Sequence, residues 1–293
     1  MSNEITDSER AALKELKEVA RADDSFFKNI STCIGLALEW ANHSRGRESI
    51  PEGRRSFFEK LLVVYGGLES ISTIVYRLEW LKGKFLSERD LLRPEEFMEF
   101  FQADVYAFYT EFGSLVDSLC PLIKFVSLEP DLMPSGSLKD LRDWLIETSD
   151  GSLKLSPPEI ANIIVAADWI PAVGVTIEYI KQRQVGIIVG VTEPLGEILF
   201  SIFCNSILFD CSVQEERDAQ FSSLFRPQVG YFFGRFLFLL ERLCVVAATN
   251  LDISLDQIAY PLRLRLSTIR ECIDFAIATL EAGQFKPNDF AGF

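Results

Sequence analysis

The sequence predicts a mostly α-helical bundle that carries one small β-hairpin. Three observations carry that expectation. Apolar residues recur at spacings of three and four along most of the 293 residues. One segment, 185–191, is instead β-branched and spotted with glycine. The composition, 48% hydrophobic and 25% charged, is that of a chain able to bury a sizeable core, which excludes disorder as the main state.

Taken in order, residues 7–22 read as an amphipathic helix with Leu13, Leu16, Val19 and Ala20 on one face. Thr6 or Asp7 can cap it, and Glu9 or Arg10 follows in the first turn. A second helix covers about 25–42, and a polar break at 43–53 separates it from a third. The third runs to about Lys84 and is expected to loosen at Gly66-Gly67, where two glycines weaken a helix interior. Pro94 at a first helical position, followed by Glu95 and Glu96, starts the next helix. Its stripe is Phe97, Phe101, Phe108, Phe112, Leu115, Leu119 and Leu122, and it reaches Val126 with a kink at Pro121.

Ser137 caps a short helix that ends near Ser149. The run 156–159 starts another that continues to Asp168-Trp169, and Pro171 interrupts before a helix through Ile177 and Ile180 to Gln184. Strands at 185–191 and 197–203 are expected to pair antiparallel around 194–196. Helices at about 227–249 and 255–282 close the chain, with Gly283 suited to the position just past a helix end. Three phenylalanines follow, Phe285, Phe290 and Phe293. They must fold back on the bundle or meet another chain, and folding back is favoured because it avoids the entropy of association. This divides the chain into an N-terminal helical region, 1–93, a core with its hairpin near 185–203, 94–249, and a C-terminal helix and tail, 250–293.

Composition also excludes function classes. Acidic residues outnumber basic ones by 43 to 29, a formal charge of −14 that repels phosphate backbones, so DNA is not expected as a partner. The single histidine, His43, removes His-Cys zinc sites, multi-histidine iron sites and di-metal carboxylate bundles. No metal and no cofactor is expected. The motifs GxGxxG, GxxxxGK[ST] and GxSxG are missing, and the common dinucleotide, P-loop and hydrolase readings go with them. Six cysteines lie singly among apolar neighbours, as buried thiols do in a reducing cytosol. The first 24 residues are polar, so the chain reads as cytoplasmic. The apolar run 232–248 is broken by Arg235, Glu241 and Arg242. It reads as a buried bundle helix rather than a membrane span.

Few residues stand out as candidate sites. Asp104 falls mid-helix beside an apolar stripe, and a part-buried carboxylate needs a partner. It is either a site acid or one half of a buried ion pair to Arg183 or Arg142. The cluster Asp140, Arg142 and Asp143, like Asp168-Trp169, reads as helix-surface pairs and caps. Arg45, Arg47, Arg54 and Arg55 form the densest basic stretch, either a solvated loop or an anion-binding one at the start of the third helix.

The order of words from 94 to 249 carries a resemblance. Ala103-Asp104 leads a long helix and Leu138 to Leu145 forms a short Leu-Arg helix. Ala167-Asp168-Trp169 follows, and Arg183-Gln184 precedes the hairpin. This resembles the HEPN (higher eukaryotes and prokaryotes nucleotide-binding) helical-bundle family, in particular its uncharacterised bacterial branch. The resemblance implies a four-helix-type core, often dimeric, and in active members metal-independent RNA cleavage by a paired arginine and histidine. Arg183 matches the motif arginine, but Gln184 stands where Asp or Asn is usual. The histidine position falls on Ile188, Val189 or Gly190, none of which carries a proton. His43 offers no substitute, since Ala37, Leu38 and Glu39 precede it at the required spacing. The expectation is therefore a non-catalytic HEPN-like binding or regulatory module, able to self-associate. The alternatives are an RNA-binding or RNA-processing derivative and an unrelated helical scaffold. No membrane is expected as a partner.

Overall fold

The computed structural model describes residues 6–21, 28–42, 50–87, 94–134, 136–147, 154–174, 187–191, 197–203, 220–256 and 266–285. These residues are predominantly helical. Helix α1, Asp7–Arg21, opens on a capping box: Glu9 N–H donates to Thr6 Oγ1 at 3.2 Å and Thr6 N–H to Glu9 Oε2 at 2.7 Å. Helix α2, Lys28–Asn42, is capped from a distance. A carboxylate from elsewhere in the fold, Glu241, accepts from the backbone of Asn29 at 3.3 Å and of Ile30 at 3.0 Å.

Helix α3, Glu52–Ser87, is unbroken across Gly66-Gly67, contrary to the expected loosening. Gly67 is used for packing instead: a Cβ there would lie 2.9 Å from Leu115 of the next helix. That helix, α4, is Pro94–Asp117. The contacts Gly67 with Leu115, Arg77 with Asp104 and Phe85 with Phe97 run in opposite chain directions, so α3 and α4 form an antiparallel pair. The chain does not kink at Pro121. It breaks earlier, at Ser118-Leu119, and Pro121 sits in the first turn of a new short helix, α5, Cys120–Ile123, where its missing N–H costs nothing. A 3₁₀ turn, Lys124–Val126, follows.

Helix α6, Leu138–Glu147, begins with a reciprocal cap between Ser137 and Asp140, and Asp117 accepts a third N–H from Leu138 at 3.1 Å. Helix α7, Pro158–Val165, ends before Asp168 rather than at it. Residues 169–174 are helical, and Pro171 falls inside that helix's first turn rather than interrupting it. Three strands, β1 Ile187–Val191, β2 Ile198–Phe203 and β3 Gln220–Leu224, form an antiparallel sheet in the order β1-β2-β3. Val191 pairs with Ile198 and Leu199 with Leu224. The third strand, with two serines in five residues, has no pattern that marks it in the sequence.

Helix α8, Phe225–Asn250, is the axis of the molecule. From Phe225 to Leu240 every residue but Arg226 is buried, the signature of a helix surrounded on all sides. Helices α1, α2, α7 and the last helix, α9, Leu266–Glu281, pack around it. Phe112 sits at the centre of the core, with the rings of Trp169, Phe232, Phe233 and Phe236 all 6.0–6.3 Å away. Helix α9 ends in a left-handed Gly283, φ 64°, with Gln284 N–H returning to Thr279 O at 2.9 Å. The segment 251–256 is not helical, which shortens the expected 255–282 helix from its start.

Candidate functional site

Asp104 is buried and ion-paired, and its partner among the described residues is not Arg142. Arg77, 27 residues earlier on α3, grips it with both arms of its guanidinium, Nε to Oδ2 at 2.6 Å and Nη2 to Oδ1. The antiparallel packing of α3 on α4 puts that arginine across from it. The two partners differ in exposure: the Asp104 side chain is 8% exposed and that of Arg77 50%. The asymmetry predicts unequal losses. Arg77→Met strands a buried carboxylate and should cost about 3 kcal/mol, within the range for breaking a buried pair. Asp104→Asn leaves a hydrated arginine and should cost roughly 1 kcal/mol. Urea unfolding of the two variants checks this, and equal losses would refute it.

Arg142 is also engaged elsewhere. Its Nε donates to Val165 O at 3.2 Å, at the carbonyl end of α7, and its guanidinium lies 3.9 Å from Asp143. Arg54 donates to the carbonyls of Leu251 and Asp252, each at 2.6 Å, and pairs with Asp252 at 3.1 Å. It thus ties α3 to the turn after α8. Arg55 is exposed on α3. Arg45, Arg47 and Arg183 lie outside the described residues.

The densest polar constellation among the described residues is one that motif reading passes over. Arg235, on α8, is 1% exposed. Its Nε donates to Glu15 of α1 at 2.7 Å, and its Nη1 to Asp168 at 2.5 Å and to the Tyr231 hydroxyl at 2.7 Å. That hydroxyl donates on to Asp168 at 3.2 Å, and Ser8 donates to the other Asp168 oxygen. Phe285 is buried against the Tyr231 ring at 5.8 Å, so the first tail phenylalanine folds back. Phe290 and Phe293 lie outside the described residues.

The electrostatics of this cluster are a contest between burial and one cation. Burial pushes Asp168 up, but the Arg235 charge and the hydrogen bonds from Ser8, Arg235 and Tyr231 outweigh it, and its pKa is lowered. At Glu15 burial wins over Arg235, and the carboxyl is raised. Burial also raises Tyr231, so its hydroxyl stays protonated and donates. Asp168 is therefore no surface cap. The visible signal for this cluster is Arg235 itself, a lone cation in a run of aromatic residues, which has to find carboxylates.

A second, partly buried network joins α3, the start of β2, α8 and α9. Lys82 lies 2.7 Å from Glu79 and 3.5 Å from Glu197. Arg226 bridges Glu197 at 3.3 Å and Glu271 at 3.1 Å. Burial, with Glu79 adding to it, pushes the Cys272 thiol beside them up to about 12, so it stays an inert thiol at neutral pH. Both networks act chemically as locks between elements: Arg235 joins α1 and the turn at 168 to α8, and Lys82 and Arg226 join the start of β2 to α3, α8 and α9. No family model matches the chain, and no curated protein or solved structure is similar to it.

Proposed function

We propose that this chain is a non-catalytic, HEPN-like helical module, hairpin included, that acts by binding and pairs with a second copy of itself. The observation that carries the reading is an aromatic face on the α3–α4 pair. Trp80, 52% exposed, follows Arg77 by one turn, and Phe100, 60% exposed, precedes Asp104 by one turn. Because the helices are antiparallel and Arg77 meets Asp104, both rings fall at the same level, with Tyr76 beside them. Exposed aromatic clusters of this kind mark interaction surfaces.

Charge favours a second copy as the occupant. A chain of −14 repels its own kind over most of its surface. The outer side of α3 from Thr73 to Ser87 exposes Thr73, Tyr76, Arg77, Trp80, Gly83 and Ser87, and its one carboxylate, Glu79, is turned toward Lys82. On the α3 side two copies can meet without opposing free carboxylates, and on α4 Glu99 is exposed next to Phe100. By length and composition α3 is apolar enough to cross a bilayer. Its buried side, with Phe57, Leu61, Leu68 and Leu78, favours a core helix of a cytoplasmic protein. The buried, free Cys33, Cys120, Cys244 and Cys272 suit a reducing compartment.

Light scattering on the purified chain tests the pairing. Wild type should give the mass of two chains, and Trp80→Glu with Phe100→Glu the mass of one at an unchanged melting temperature. A wild type that stays a single chain at every concentration, or a double variant that still pairs, overturns the reading.

A further inference from the structure

We propose that the outer face of α1 is a binding site for a compact oligophosphate or a multiply phosphorylated small molecule. Arg10, Lys14, Lys17 and Arg21 recur at intervals of four, three and four residues. That spacing places the four cations in a row on one side of the helix. At 1.5 Å per residue the row is about 16 Å long. With Leu13 and Glu18 these side chains line a groove of about 640 Å³. Small-molecule sites have volumes of roughly 300–1,000 Å³. The opposite side of α1, Ala12, Leu16 and Val19, is buried, and the helix packs on α8 and α9, so the row stands on a fixed support.

The residue types select phosphate. Guanidinium forks stand at both ends of the row and ammonium groups between them, a set that matches tetrahedral oxyanions. The one carboxylate in the lining, Glu18, already accepts from Arg242 at 2.5 Å. Arg10 pairs with Asp7 at 3.0 Å, largely in water, and Lys17 with Glu281, about half-exposed. Exposed pairs of this kind contribute little and give way to a multivalent anion.

Net charge then sets the size of the ligand. A long polyanion would lay most of its phosphates over the surface of a −14 chain. A ligand that fits within the groove meets the four local cations and a few carboxylates that are already paired, because charges farther than a screening length contribute little. This favours a short oligophosphate over a nucleic-acid strand, and the site is separate from the aromatic α3–α4 face.

Calorimetric titration of the full chain with inorganic tripolyphosphate tests the site. Binding should weaken as salt rises, and orthophosphate should bind far more weakly. Lys14 and Arg21 are exposed, so Lys14→Glu with Arg21→Glu should fold normally. That variant should bind about 100-fold more weakly, about tenfold for each charge-assisted hydrogen bond removed. The neutral pair Lys14→Gln with Arg21→Gln should show the same direction. Arg55→Glu, a reversal on the surface of α3, should leave binding unchanged. No binding of tripolyphosphate, or undiminished binding in both double variants, overturns the site. A single-stranded oligonucleotide that binds more tightly than tripolyphosphate overturns the assignment to a compact ligand.

Discussion

Gly230→Ala is expected to destabilise the protein by about 3 kcal/mol or more, at the upper end of what overpacking costs. Helices α8 and α9 cross so closely at this glycine that an added Cβ would lie 2.0 Å from the Cys272 carbonyl oxygen and 2.4 Å from its carbon. Backbone cannot swing aside as a side-chain tip can, so relief requires one helix to move. Both helices are packed into the same core, so that movement opens gaps elsewhere. Gly234, one turn later, makes the contrast. There the nearest atom, 2.5 Å away, is the methyl end of the Leu16 side chain, and a rotamer change absorbs part of the strain. Gly66 and Gly83 meet nothing within 4 Å, and alanine at either should stabilise α3 by roughly 0.5–1 kcal/mol. Urea midpoints of the four variants give the ranking. If Gly230→Ala is no worse than Gly66→Ala, the close crossing is wrong.

The same contrast shows where sequence reading succeeds and where it stops. Helix starts are legible at Thr6, Pro94 and Ser137 because a cap is a signal within four residues of itself. The end of α9 is legible for the same reason, since Gly283 carries the left-handed turn alone. Gly66-Gly67 looks like a weak point in the sequence, since propensity knows nothing of Leu115 on the neighbouring helix. Asp104 is marked by its position as needing a partner, yet the choice of Arg77 over Arg142 depends on the register of α3 against α4. Arg142 instead serves the carbonyl end of α7. Asp168 resembles a surface residue in the sequence because its cation lies 67 residues away. Short-range chemistry is readable, and long-range pairing is not, because pairing is set by which faces pack.

The other large effect belongs to Arg235. Arg235→Met should lower stability by about 3–5 kcal/mol at neutral pH, the cost of leaving buried carboxylates uncompensated. Two are stranded at once, Glu15 with 13% of its side chain exposed and Asp168 with 24%. Elements far apart in sequence, α1 and the turn at 168, also lose their common anchor on α8. The pH dependence gives the effect a second signature. In the wild type Asp168 has a lowered pKa, so its contribution is present above the unfolded carboxylate value and is lost as pH falls through the folded one. Glu15 is raised, so its contribution runs the other way, fully present below its unfolded value and lost as pH rises through the folded one. Without Arg235, burial is the first cause acting on both, and both should rise. The folded variant then binds protons that the unfolded chain releases, and its stability should increase as pH is lowered from 7 toward 5. The wild type, in which Asp168 stays ionised in both states over that interval and Glu15 alone of the two binds extra protons on folding, should change less. Replacing the carboxylates as well, Glu15→Gln and Asp168→Asn in the Arg235→Met background, should recover part of the loss, because neutral amides tolerate burial better than unpaired charges. Urea unfolding at both pH values measures all three proteins. Additive losses in the triple variant, or an Arg235→Met protein that weakens on acidification, would show that the arginine does not hold these carboxylates together.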